Sequence, residues 1–186
     1  MRTFIAIDLE PSLKQNLCDL LRRLKKLNDR SVSWVRESGM HLTLKFLGEI
    51  DEDQAVNIAE ILKNVCSISS SFPLSLRGTG FFPANARNPR VLWIGIIEEP
   101  ALMNLQACLE SKLERLGFPK EERPFHPHLT LGRVKSSLNL GEVMAELEKR
   151  KDADFGDMAV KKITFFKSTL KPSGAEYSHL AEGELA

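Results

Sequence analysis

The chain has 186 residues, 42% of them hydrophobic and 27% charged, with 26 Lys and Arg against 25 Asp and Glu. That balance is ordinary for a soluble globular protein and excludes a highly basic coat protein, while leaving room for a local positive cleft. No stretch approaches the ~20 apolar residues of a membrane span, and Asp8 and Glu10 follow the first apolar run too closely for a secretory signal, so the expectation is a cytoplasmic protein with no membrane partner.

In chain order, residues 3–8 (TFIAID) read as a strand. Leu13, Leu17, Leu20, Leu21, Leu24 and Leu27 then recur at helical spacing, which predicts an amphipathic helix over 12–28 with Ser12 as its N-cap. A short strand at 31–35, a turn at 37–39 and a strand over 41–47, ended by Gly48, follow. A second helix is expected over 52–66 and a strand over 72–78. Residues 80–90 are dense in Gly, Pro and Asn and read as a loop. The pattern then restarts with a strand at 91–97 and a helix from Pro100. Next come an extended approach at 124–127, a strand at 128–134 and a helix around 140–147. Strands near 157–160, 162–169 and 176–181 close the chain. Cys18, Cys66 and Cys108 fall on apolar helical stripes and predict buried thiols rather than disulfides or metal ligands.

Two features recur at nearly one offset. TFIAID at 3 is answered by VLWIGI at 91, and HLTL at 41 by HLTL at 128. Such a duplication predicts an α+β fold of two pseudo-symmetric lobes, each an antiparallel-rich sheet with helices on its outer face, the sheets flanking a central cleft. The domain expectation is one bilobal unit over 1–186, with approximate lobes 1–80 and 91–186 and termini free to cross between them.

The repeated tetrapeptide carries the chemistry. Strand side chains alternate, so His41 and Thr43 share one face and Leu42 and Leu44 the other, as do His128 and Thr130 against Leu129 and Leu131. Two imidazoles facing one cleft suit general acid–base catalysis, because their ordinary pKa of ~6.5 allows one neutral and one protonated form near neutral pH. Thr hydroxyls suit the non-bridging oxygens of a phosphate. No metal-binding spacing accompanies the histidines, so no metal is expected.

The two HLTL motifs resemble the paired His-x-Thr motifs of the 2H phosphoesterase superfamily. More closely, the chain is similar to RNA 2′,3′-cyclic phosphodiesterases, also called 2′-5′ RNA ligases. The similarity runs through RTFIAIDL, VRESGMHLTLKFLGEI, GFFPANARNPRVLWIGI, RPFHPHLTLGRVK and STLKPSGAEYSHLAE. It implies hydrolysis of RNA 2′,3′-cyclic phosphate ends to 2′-phosphates, with tRNA fragments among the candidate substrates. The reverse reaction would join ends through a 2′-5′ linkage. It implies His128 as proton acceptor, His41 as proton donor, Thr43 and Thr130 on phosphate oxygens, and no cofactor. One chain would supply the whole site, so a monomer suffices and no obligate protein partner is implied.

Arg133 occupies the position of a phosphate-binding arginine in this family, although strict alternation points it away; Gly132 would permit a bulge that re-aims it. Lys45 has the same parity as His41 and Thr43, which makes it a second substrate-binding candidate. His126 is read equally as a cleft-rim contact or an idle exposed side chain, and His179 as structural or exposed. Phe81 and Phe82, in the loop ending at Arg90, either plug the junction between lobes or stack on bases. Trp34 and Trp93 are expected in the core, and the run 22–26 on a solvated helix face. Two alternatives to the RNA-end enzyme remain at this point: a non-catalytic nucleotide- or RNA-binding module, and a phosphodiesterase acting on a small cyclic nucleotide.

Overall fold

The computed structural model describes residues 1–84, 88–172 and 174–186. Its strands are β1 (Arg2–Asp8), β2 (Val32–Trp34), β3 (His41–Glu49), β4 (Phe72–Phe82), β5 (Val91–Ile96), β6 (His128–Val134), β7 (Asp154–Val160), β8 (Lys162–Lys171) and β9 (Gly174–Glu184). Its helices are α1 (Pro11–Leu27), α2 (Glu52–Ser67), α3 (Pro100–Glu114) and α4 (Gly141–Glu148). The α1 stripe is buried at Leu13, Leu17, Leu20, Leu21 and Leu24, as its spacing predicts. Its start differs. Pro11 takes the first helical position, where its missing N–H costs nothing, so Ser12 lies inside the first turn rather than capping it. At α2 a reciprocal capping box forms between Asp51 and Gln54.

The strands form two antiparallel sheets, in the orders β3-β1-β8-β9 and β2-β6-β5-β4-β7. α2 packs on β8 and β9 and α3 on β3, while α1 packs on β7 and α4 on β4. Each sheet therefore carries two helices. Leucines and isoleucines from both sheets and all four helices join one buried cluster. No helix among the described residues is long and apolar enough to cross a membrane.

Strands cross between the approximate lobes 1–80 and 91–186, as the expectation allowed for the termini. β2 and β4, from the first half, belong to the five-stranded sheet, and β8 and β9, from the second half, complete the four-stranded one. β4 pairs on both edges, with β5 and β7, and buries Phe72, Leu74 and Leu76 between them. β4 also runs on to Phe82, so Gly80, Phe81 and Phe82 are strand rather than loop. Asn85, Ala86 and Arg87 of the predicted loop lie outside the described residues.

The candidate active site

His41 and His128 each open a strand, and β3 and β6 supply the main strand-to-strand contact between the two sheets. Leu42, Leu44, Leu129 and Leu131 are buried, while His41, Thr43, His128 and Thr130 remain partly exposed. The predicted facing of the two motifs is realised in both strands.

Beyond the threonines both strands carry a bulge at the same place. In β6, Thr130 pairs with Trp93 but Gly132 with Leu92 and Arg133 with Val91, so Leu131 is the extra residue. Leu131 and Gly132 both turn to the core, and Arg133 returns to the His128–Thr130 face. The glycine is needed there: a Cβ on residue 132 would lie 2.7 Å from Val32 Cγ1 and 2.9 Å from the Trp34 ring. In β3, Thr43 pairs with Ala6 but Lys45 with Ile5 and Phe46 with Phe4, so Leu44 is the extra residue. Lys45 is thereby carried to the core side, contrary to the reading from strict alternation. It is 3% exposed, with Nζ 2.8 Å from Glu110 Oε2 and donating to the Pro119 carbonyl at 2.6 Å. The position on the His41–Thr43 face is taken instead by Phe46, 55% exposed. The pseudo-equivalent of Arg133 is thus an aromatic ring, which sequence alternation missed.

His41 sits among rings drawn from across the four-stranded sheet. Its ring stacks on Phe4 at 4.7 Å and on Phe166 at 5.9 Å, and meets Tyr177 edge-on at 5.3 Å. His41 pairs with Asp8 at one end of β1, whereas Tyr177 comes from β9, beyond β8. Their contact requires the sheet to curl, with this aromatic cluster on its concave face. Burial among the rings pushes the His41 pKa down to about 4; nearby Asp8 opposes that, and Lys14 adds to it. Lys14 is itself paired to Asp8 at 2.7 Å.

His128 is held differently. Its Nδ1 donates to the His126 carbonyl at 2.7 Å. A carbonyl only accepts, so Nδ1 carries the proton and Nε2 keeps its lone pair. His126 thus acts through its backbone, while its side chain is exposed. Burial lowers the His128 pKa, the His126 carbonyl raises it, and Arg133 lowers it further. Phe82 meets His128 edge-on at 5.1 Å and lies 5.2 Å from Trp93. Trp93, expected in the core, instead shares the face of Thr130 and is half-buried. His179 is exposed, edge-on to Phe166 and 3.1 Å from Glu182. Among the described residues no three His, Cys, Asp or Glu side chains gather as metal ligands would.

Two bulged His-x-Thr strands placed side by side define a two-histidine phosphoesterase architecture, and comparison with known proteins agrees. The 2′-5′ RNA ligase superfamily matches residues 13–171, and the chain belongs to that family. It is 39% identical to the RNA 2′,3′-cyclic phosphodiesterase of Thermotoga maritima, over 98% of this chain and 94% of that one. It is 37% identical to the enzyme of the same name from Methanocaldococcus jannaschii, over 98% and 99%. Its fold is similar to that of E. coli LigT crystallised with 3′-AMP, with a TM-score of 0.80, 26% identity and coverage of 100% and 98%.

Proposed function

We propose that the protein hydrolyses RNA 2′,3′-cyclic phosphate ends to 2′-phosphates by metal-independent two-histidine acid–base catalysis. The observation that supports this reading is the pair of bulged strands β3 and β6, in contact across the two sheets, with His41 and Thr43 on one face of β3 and His128, Thr130 and Arg133 on one face of β6. The relatives named for this activity support it.

In this reading His128 Nε2, unprotonated because Nδ1 is committed to the His126 carbonyl, accepts the proton of the attacking water. The water oxygen bonds to phosphorus, and the bond from phosphorus to the 3′ oxygen breaks. His41 donates its proton to that leaving oxygen. Thr43 and Thr130 hold non-bridging oxygens, and Arg133 neutralises the phosphate. His41 is neutral in the free protein near pH 7 because its ring box desolvates the charged form. An arriving phosphodiester anion offsets that desolvation and brings a proton onto the ring. Phe46 offers a flat apolar face for the base. With an RNA 5′-hydroxyl in place of water, the reverse path makes a 2′-5′ linkage. One copy supplies both histidines, so a monomer suffices. In this reading the substrates are RNA ends of this kind, tRNA fragments included, and the enzyme works in the cytoplasm.

The test is a short RNA ending in a 2′,3′-cyclic phosphate, incubated with EDTA and resolved for 2′- against 3′-phosphate. Conversion to the 2′-phosphate that His41→Ala and His128→Ala each reduce by ~10²-fold or more is the expected result. A 3′-phosphate product, or turnover that survives both substitutions, would overturn it.

A further inference from the structure

Two aromatic rings of the five-stranded sheet lie outside the core. Phe82 of β4 and Trp93 of β5 are half-buried, and among the described residues neither packs against the buried apolar clusters, whereas Phe81 does. Register explains the split. Gly80 pairs with Trp93 and Phe82 with Val91, while Phe81 pairs with the buried Leu92. Trp93 pairs in turn with Thr130, and Val91 with Arg133. Phe82 and Trp93 therefore share the face of Thr130 and Arg133, and Phe81 turns to the core. The indole lies over Gly80, where a Cβ would come 2.3 Å from its Cη2 and Cζ2, so any larger residue would displace it. Phe82 lies 5.2 Å from that indole and meets the His128 ring edge-on at 5.1 Å.

This pair stands on a particular side of the chemistry. In the reading above, the attacking oxygen gives its proton to His128 Nε2 and enters opposite the 3′ oxygen that His41 protonates. Entry and departure lie on opposite sides of phosphorus, so the two histidines divide the site. The nucleoside bearing the cyclic phosphate keeps its 3′ oxygen and stays with His41 and Phe46. Whatever brings the attacking oxygen stands beside His128, where Phe82 and Trp93 are. Water has no apolar surface to place against two rings. A base has, and stacking on an aromatic side chain contributes ~1–3 kcal/mol per base. Arg133, two strands from Phe82 and so ~9–10 Å away, is left to the phosphate.

We infer that Phe82 and Trp93 form a second base platform, which seats the nucleoside whose 5′-hydroxyl attacks the cyclic phosphate. The inference rests on the reading above and adds to it a site for the nucleophile. The 5′ oxygen bonds to phosphorus and its proton passes to His128 Nε2. The bond from phosphorus to the 3′ oxygen breaks, and His41 protonates that oxygen. The product is a 2′-5′ diester with a free 3′-hydroxyl. The platform thereby sets how well a nucleoside competes with water, and it selects an alcohol that carries a base.

The experiment gives the full chain adenosine 2′,3′-cyclic phosphate and measures the initial ratio of 2′-5′ diester to 2′-phosphate. The acceptor is adenosine or, at the same concentration, methyl riboside, which has a 5′-hydroxyl and no base. The wild type should form diester ~5–150-fold faster from adenosine than from methyl riboside. Phe82→Leu should remove most of that preference, and Phe82→Tyr should keep it. An effect of either substitution through His128 alters attack by water and by alcohol alike and cancels in the ratio. Equal use of the two acceptors by the wild type, a preference unchanged in Phe82→Leu, or hydrolysis with no diester from adenosine overturns the inference and leaves the hydrolytic reading in place. If neither reaction occurs, the hydrolytic reading falls, and calorimetry with 2′-5′-linked adenylyl-adenosine and with adenosine 2′-phosphate decides the platform. Binding of the dinucleoside that is ~5–150-fold tighter in the wild type, and not in Phe82→Leu, supports the platform. Equal affinities refute it.

Discussion

Lys45→Met separates two roles for this lysine. Lys45 shares a strand with His41 and Thr43, but the bulge at Leu44 sends its ammonium into the core, 2.8 Å from Glu110 Oε2 and 2.6 Å from the Pro119 carbonyl. Gln106 donates to the other Glu110 oxygen at 3.2 Å and to the Leu44 carbonyl at 3.4 Å, so the pair is tied to the bulge itself. Methionine keeps an unbranched side chain one heavy atom shorter and removes the charge, leaving a buried carboxylate and carbonyl without their cation. Breaking one side of such a pair costs ~3–5 kcal/mol. At ~2–4 °C per kcal/mol for a domain of this size, Tm should drop by ~6–20 °C. Lys45→Met/Glu110→Leu removes both charges and should recover most of that loss, because the desolvation cost of the carboxylate disappears with it. Thermal unfolding by circular dichroism reads the stability, and kcat/KM measured well below each transition reads the site. An unchanged Tm with collapsed kcat/KM would put the ammonium on the substrate and refute the core assignment.

The remaining predictions concern the site directly. Both histidines have lowered pKa values, His41 at about 4, so the free enzyme loses its protonated acid as pH rises. kcat/KM should therefore fall from pH 6 to pH 8, roughly tenfold per unit, while kcat, set by the phosphate-bound form, stays flat to higher pH. A rise in kcat/KM across that range would exclude His41 as the acid. The same depressed pKa makes the protein lose stability as pH falls from 6.5 towards 4, since the unfolded chain takes up the proton first. His41→Phe should lose about 3 kcal/mol less than wild type over that interval in urea titrations, and equal losses would show that His41 is not desolvated. Arg133→Gln should lower kcat/KM by ~10–150-fold with little change in Tm, as removal of a charged hydrogen bond to phosphate predicts. Phe46→Ala should weaken binding of the 2′-phosphate product by ~5–150-fold, the worth of one base–aromatic stack, and unaltered affinity would leave that ring without a role.

Which parts of this site can be read from sequence follows from how local each cause is. The His41–Thr43 and His128–Thr130 pairs need only strand alternation, and the helices only their leucine spacing. The aromatic box round His41 is not local: Phe4, Phe166 and Tyr177 come from β1, β8 and β9, and only the curl of the sheet joins them. Nor is the membership of β4, whose alternation would suit either sheet and which is placed by pairing with β5 and β7. The role of His126 escapes a reading of side chains because it is exerted by a carbonyl.

The bulges lie between these cases. Gly132 signals one of them, since a buried residue without a Cβ beside Val32 and Trp34 lets the strand turn twice to the core. The repeat offset of 87 residues carries Lys45 onto Gly132 and Phe46 onto Arg133. Applied to the first copy, the same bulge puts Lys45 in the core and Phe46 on the exposed face of His41 and Thr43, which is where the structure has them. What hides it in the first copy is that the core position holds a lysine, tolerable only because Glu110 arrives from α3, 65 residues away. The duplication therefore kept the backbone irregularity and let its two outward positions diverge, to a cation beside one histidine and an aromatic ring beside the other. That divergence makes the two His-x-Thr faces chemically unlike, and unlike faces are what the proposed substrate end, with phosphate on one side and base on the other, requires.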